Sequence, residues 1–276
     1  MSRASRARRI AATAAVGAVG GGGGAFGVLW AQTLLARHRV GEPRGVPFEV
    51  DGRYSPCEGS VSAPPGAGPY RMVMLGDSGA AGLGADAPQD TVAVVVAQGL
   101  ADSSGRAVDL VNRAVVGAQT SHVAAQVEAA ATAFDGSGPN LAVIMIGAND
   151  VTHRVRPQTS VRQLRAIVAG LVGAGCTVVV GCCPDLGTVE PLPNPLRAIG
   201  RRLSRTLAAA QALVAEEAGG YPVSLASLLG PEFAAKPGEY FSEDRFHPSS
   251  LGYRRLAETL LPAVRVAVGH ETADCD

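Results

Sequence analysis

The chain has 276 residues, 47% of them hydrophobic and 17% charged, with 24 basic residues against 24 acidic ones. That length supports one sizeable core, and the composition lies far from that of a disordered chain; no heptad or short repeat is present either. The zero net charge hides an asymmetry: residues 1–39 hold six arginines and no acid, leaving 18 basic against 24 acidic residues from Val40 onward. A net-negative body without a basic stripe lacks the electrostatic footprint of a nucleic-acid binder, so no nucleic-acid partner is expected.

From Ile10 to Ala36 run 27 consecutive uncharged residues, with Arg3, Arg6, Arg8 and Arg9 before them and Arg37, His38 and Arg39 after. About 20 apolar residues suffice to cross a bilayer. Gly17, Gly27 and the five glycines at 20–24 weaken the run, whereas Val28, Leu29, Trp30, Leu34 and Leu35 enrich its second half. The expectation is a signal anchor over residues 1–39, with the arginine-rich end in the cytoplasm and the body outside the cell membrane. A cleaved signal peptide, giving a secreted body, or a glycine-rich tail are the alternatives. No cysteine directly follows the run, which argues against a lipid-modified N-terminus.

Residues 40–69 carry Pro43, Pro47, Pro56, Pro64, Pro65 and Pro69 among several glycines and read as an extended tether with no core of its own. The five cysteines show no zinc-like spacing. With the body outside, Cys57 and Cys275 are available to pair, or remain isolated thiols.

Beyond Pro69, short apolar runs alternate with longer stretches of helical spacing. Strands are predicted at 72–75, 108–111, 141–146, 177–181 and 223–225, and helices at 90–100, 121–134, 160–174, 195–218 and 248–268. Such alternation implies an α/β domain over residues 70–268, followed by a short tail at 269–276. Its five-stranded parallel sheet is covered by helices on both faces as a three-layer α/β/α sandwich. Ligands of such sheets gather at the carboxyl ends of the strands.

Those ends carry unusual loops: Gly76-Asp77-Ser78-Gly79 after the first strand, a segment ending at Gly117 after the second, Gly147-Ala148-Asn149-Asp150 after the third, and Asp244-Arg245-Phe246-His247 in the last loop. A serine hydroxyl becomes a nucleophile only when a base takes its proton, and His247 is the candidate base for Ser78. Asp244, three residues earlier, would orient that imidazole. Acyl transfer also needs donors aimed at the developing oxyanion, and the Ser78 N–H, the Gly117 N–H and the Asn149 side-chain amide are of suitable type. Taken singly, each has a plainer role: Asp244 and His247 as a helix-entry cap before Pro248, Asn149 as a turn residue, Gly117 as a tight loop.

In order along the chain, these residues resemble the blocks of the SGNH hydrolase family, the GDSL-type esterases and lipases. The resemblance covers about residues 71–268: Gly76-Asp77-Ser78 matches the first block, Gly117 the second, Gly147, Asn149 and Asp150 the third, and Asp244 with His247 the last. It implies Ser78 as nucleophile, His247 as base, Asp244 as the orienting acid, and an oxyanion hole from Ser78, Gly117 and Asn149. The implied fold is the flavodoxin-like, five-stranded SGNH sandwich. Gly79 stands where the family name has leucine, which bears on substrate fit, and Asp77 and Asp150 are expected to support loops.

The implied function is a serine-dependent ester hydrolase acting through an acyl-enzyme on small acyl esters of lipids or sugars. One alternative is an O-acyltransferase using the same residues with a sugar or lipid hydroxyl as acceptor; another is a non-catalytic binding module of the same fold. No cofactor or metal is expected. His122 and His153 read as capping or surface residues, and Arg154, Arg156 and the loop at 184–195 as rim residues. The glycines at 76, 79, 82 and 84 spell neither a dinucleotide fingerprint nor a P-loop, which disfavours a nucleotide-binding domain.

Overall fold

A computed structural model describes residues 45–134 and 136–269. The predicted anchor at 1–39 and Cys275 lie outside the described residues. Among the described residues no helix is long and apolar enough to cross a membrane.

Six strands form one sheet: β1 (Gly52–Tyr54), β2 (Tyr70–Gly76), β3 (Val108–Asn112), β4 (Leu141–Met145), β5 (Thr177–Gly181) and β6 (Tyr221–Val223). Their spatial order is β1-β3-β2-β4-β5-β6. Strands β2 to β6 pair in parallel, and β1 adds to β3 in the antiparallel sense. The five parallel strands thus follow the doubly wound, flavodoxin-like order, whose direction of winding switches between β2 and β4. Every residue of β4, Leu-Ala-Val-Ile-Met, is buried, as a strand covered on both faces requires.

The helices are α1 (Val92–Ser104), α2 (Val123–Ala131), α3 (Ala148–Thr152), α4 (Pro157–Gly173), α5 (Leu196–Glu217), α6 (Leu225–Leu228), α7 (Gly230–Ala235), α8 (Pro237–Tyr240) and α9 (Ser250–Ala267). On one face of the sheet, Val96 and Leu100 of α1 and Leu256 and Leu260 of α9 pack with Met72, Met74 and Val143. On the other, Val123 of α2, Leu164 and Val168 of α4 and Leu207 of α5 pack with Val73, Ile144 and Val180. Alternate residues of each strand therefore feed two cores, giving the expected three layers. Local chemistry sets the helix ends: Pro157 opens α4, and the Ser249 hydroxyl caps α9 by accepting from the Gly252 N–H at 3.1 Å.

Two expectations are corrected. The described part of the 40–69 segment is no free tether: Val50 is buried, Phe48 and Tyr54 pack against the α1/α9 core, and Arg53 of β1 binds Asp109 of β3 through Nε at 2.6 Å and through a second nitrogen at 2.9 Å. Gly-Arg-Tyr has no apolar alternation to betray a strand; its order comes from the open edge of β3, 56 residues away in sequence. The last strand also lies earlier than expected, at Tyr221–Val223, because apolar Leu225 opens α6 instead of continuing the strand.

Candidate active site

Ser78 stands two residues beyond β2, on a turn with little freedom. Gly76 has φ +142°, and a Cβ there would drive into the Met145 carbonyl oxygen of β4. The buried Gln126 side chain grips the same residue from α2, accepting from the Gly76 N–H at 2.8 Å and donating to its carbonyl at 2.8 Å. The Asp77 N–H donates to Met145 O at 3.2 Å. The serine is held between two neighbouring elements and remains 8% exposed.

The turn before α9 brings His247 to the serine. His247 Nε2 lies 3.0 Å from Ser78 Oγ, and its Nδ1 lies 2.5 Å from Asp244 Oδ2. The other oxygen of Asp244 accepts from Ser242 Oγ, the Phe246 N–H and the His247 N–H at 2.9, 2.8 and 2.9 Å. Burial opposes ionisation of Asp244, but the His247 ring and the two N–H groups outweigh it and hold the carboxyl down at about 2. A depressed carboxyl contributes stability that is present above the ordinary carboxylate range and lost as pH falls through about 2.

Asp77 shows the opposite shift. Burial pushes its carboxyl up to about 6, with the Gly79 N–H (3.0 Å) and His247 opposing and Asp150 adding to the rise. The folded value lies above the unfolded one, so folding loses stability as pH climbs from about 4 to 6 and bears the whole cost above that. Asp77→Asn keeps an oxygen for Gly79 and removes the buried charge. It is expected to stabilise the fold by roughly 2–3 kcal/mol at pH 8 and much less at pH 4.5, read by denaturant titration at both pH values. Equal gains at the two pH values would show that Asp77 titrates as an ordinary carboxylate.

Beside Ser78 and His247 opens a mostly apolar cavity of about 110 Å³, with Met145, Leu229, Phe233, Phe241 and Phe246 in its wall. The loop at 184–195 contributes Pro184, Asp185, Leu186, Thr188 and Val189 to the lining. Asp185 secures that loop: it is buried, accepts from the Gly187 N–H at 2.8 Å, and binds Arg205 Nε of α5 at 3.0 Å. The sequence reading placed the loop at 184–195 on the rim but missed Leu229, Phe233 and Phe241 in the wall and the Gln126 clamp, because apolar or amide residues at helical spacing look like any core.

Asn149 is the second residue of α3, and Gly147 before it takes φ +133°, where a side chain would meet Cys183. Among the described residues, no group accepts from the Asn149 side-chain amide, the Ser78 N–H or the Gly117 N–H. Gly117 lies on the exposed loop after β3, in a shallow groove with Val115, Val116 and His122; neither it nor Asn149 lines the apolar cavity. Asp150 joins the two loops, one oxygen accepting from the N–H and hydroxyl of Thr120 at 3.1 Å each, while the other has no partner among the described residues. His122 accepts from the Gln119 N–H at 3.1 Å as a cap, and the His153 ring meets the Asn149 carbonyl at 2.9 Å on the surface. Cys182 and Cys183 directly follow β5, but burial pushes the Cys182 thiol up to about 12 and Cys183 well above the usual thiol range, so neither offers a thiolate.

The profile of the GDSL-like lipase/acylhydrolase family matches residues 74–255. The chain belongs to this family. As a GDSL-like acylhydrolase it is an ester hydrolase. It is 38% identical over 246 residues to a GDSL-like esterase of Mycobacterium tuberculosis, an alignment covering 88% of this chain and 78% of that protein. Among solved structures it resembles TesA (TM-score 0.55, 20% identity, 71% of this chain and 99% of that one). It also resembles the acetylxylan esterase Axe2 of Geobacillus stearothermophilus (0.52, 20%, 74% and 97%) and the extracellular lipase of Streptomyces rimosus (0.53, 18%, 72% and 99%). At such identities the likeness of these three is one of fold, and it agrees with the α/β/α architecture of this GDSL-like hydrolase.

Proposed function

We propose that this ester hydrolase is a serine enzyme acting through an acyl-enzyme, with Ser78 as nucleophile. The observation that carries the reading is the continuous chain Ser78 Oγ, His247 Nε2, His247 Nδ1, Asp244 Oδ2, with 3.0 and 2.5 Å at its two hydrogen bonds. His247 takes the hydroxyl proton as Ser78 Oγ bonds to the acyl carbon, and the ionised Asp244 stabilises the resulting imidazolium. The carbonyl oxygen, now an anion, is met by the free donors of Ser78, Gly117 and Asn149. Collapse breaks the ester C–O bond, and the departing alcohol receives the proton from His247. Water then repeats the sequence on the acyl-enzyme, releasing the acid and restoring Ser78.

The apolar cavity beside Ser78 suits the acyl group. At about 110 Å³ it is smaller than a cavity of roughly 150 Å³ that admits benzene, which favours acyl chains of a few carbons on a lipid or sugar alcohol. The test is a fluorophosphonate probe on the full chain: labelling of the folded wild type, with none in Ser78→Ala or heat-unfolded protein, supports the reading. Labelling that survives Ser78→Ala reassigns the nucleophile.

The oxyanion assignment has its own expected outcome. Asn149→Ala should lower kcat by about 10² to 10³ with little change in KM, because the amide acts on charge that develops in the transition state. Asn149→Asp should be worse, since a carboxylate repels that charge. If Asn149 only shapes the turn, the alanine variant instead melts earlier and turns over near-normally while folded, so kcat and Tm measured on one preparation separate the two.

The 27-residue uncharged run behind four arginines supports placing the body outside the cell membrane, held by residues 1–39. The full chain should then sediment with membranes and be cut by protease added to intact spheroplasts. Full-length chain recovered from the soluble cytosol overturns that placement.

A further inference from the structure

We infer that the exposed face of α5 docks a second copy of this chain, the two helices packing antiparallel about a two-fold axis level with Ala209.

The first support is the pattern of that face. The inner side of α5 is spent on the fold, where Ser204, Leu207, Ala208, Gln211 and Ala215 are buried. On the opposite side Ile199, Leu203, Thr206, Ala210 and Leu213 follow one another at intervals of four and three residues, which lines them up as one stripe. Ile199, Leu203 and Leu213 are 38%, 45% and 62% exposed and join neither core. Such spacing is that of a seam along which two helices pack at a shallow angle.

The second support is charge. α5 carries Arg197, Arg201, Arg202 and Arg205 in its first half and Glu216 and Glu217 at its end. That is the reverse of what the helix dipole favours, so the helix alone gains nothing from the arrangement. Most of these charges are occupied within the subunit: Arg197 donates to the Leu192 carbonyl at 2.8 Å, Arg201 and Arg205 bind Asp185, and Arg165 binds Glu217. Arg202 and Glu216 are exposed, and neither forms an ion pair among the described residues. They flank the stripe on the same side, about four turns or 21 Å apart.

One antiparallel register serves both features. It sets Leu203 against Leu213 of the partner subunit and Thr206 against Ala210 of the partner subunit, and it brings Arg202 beside Glu216 of the partner subunit. The two-fold axis repeats each contact. Sliding the helices by one seven-residue interval keeps an apolar seam but leaves Arg202 facing Ala209 of the partner subunit, and parallel packing sets like charges against each other. The face is complementary to itself, as a two-fold interface requires, which favours a second copy over an unrelated partner. One helix pair buries less surface than most permanent dimers do, so the association should be of micromolar strength.

The test is sedimentation velocity on the full chain in detergent micelles over about 1–100 µM, where a shift from one chain to two with rising concentration is expected. Leu203→Glu/Leu213→Glu should stay monomeric throughout with Tm held, because both side chains lie outside the cores. Arg202→Glu or Glu216→Arg alone should weaken the dimer about tenfold, since each dimer then holds two like-charged contacts, and Arg202→Glu/Glu216→Arg should restore it. In a Cys57→Ser/Cys275→Ser background, a short bismaleimide should join two Ala209→Cys chains. A monomeric wild type, a dimer indifferent to the leucine pair, single charge reversals that the double variant does not repair, or Ala209→Cys chains that do not cross-link overturns the inference.

Discussion

Ser78→Ala is expected to lower kcat on a butyrate ester by about 10⁴-fold or more, with KM nearly unchanged, because the covalent route is removed while the binding surface stays. Alanine fits the site without strain: Ser78 is mostly buried, and its Oγ has His247 as hydrogen-bonding partner. The backbone bonds that fix the turn, Ala81 N–H to Asp77 O at 2.9 Å and Leu83 N–H to Ser78 O at 3.1 Å, do not involve the hydroxyl. Tm should therefore hold, and a collapse of Tm with the activity would mean that the hydroxyl supports the fold. Burst kinetics with a p-nitrophenyl ester supplies the complementary readout: one equivalent of nitrophenol released rapidly by wild type and none by the variant.

Asp244→Asn should lower kcat by about 10⁴-fold through the position of one proton. Oδ1 of Asp244 already receives the Phe246 and His247 N–H groups, which can only donate. The asparagine must keep its carbonyl there, which turns its NH₂ toward His247 Nδ1. That nitrogen then has to accept, so the ring proton moves to Nε2, the atom facing Ser78, which can no longer act as a base. The backbone bonds of the turn survive, so the variant should remain folded. Near-normal turnover in a folded Asp244→Asn would show that the carboxylate does not set the tautomer, and slow fluorophosphonate labelling would locate the defect at the first chemical step.

The sequence disclosed what is local or ordered along the chain. Continuous apolar runs announced β4 and β5, because strands buried on both faces leave no room for polar alternation. Part of the candidate site was legible for a related reason: parallel strands deliver their loops to one rim, so four polar segments could be assigned to it, and the structure joins Ser78, Asp244 and His247 of these by hydrogen bonds. What the sequence hid is cooperative. Gly52–Tyr54 is a strand only because β3 offers it an open edge, where Arg53 also meets Asp109, and Gln126 matters only because its amide matches both backbone groups of Gly76. The wall of the apolar cavity, from Leu229 to Phe246, shares its residue types with the core, and only the turns between α6 and α9 bring them beside Ser78.

His247, the proposed base, reaches Ser78 from 169 residues further along the chain, carried on the turn into α9. That turn is secured where α9 docks on α1 and on the loop after Ser78, the Tyr253 hydroxyl donating to Leu83 O at 2.7 Å and the Ser250 hydroxyl to Asp86 at 2.6 Å. During synthesis, then, Ser78 and every strand up to β6 leave the ribosome before His247 does. On the proposed mechanism Ser78 lacks its base until the turn into α9 has emerged and docked, so a polypeptide stalled before His247 carries a serine that cannot be activated.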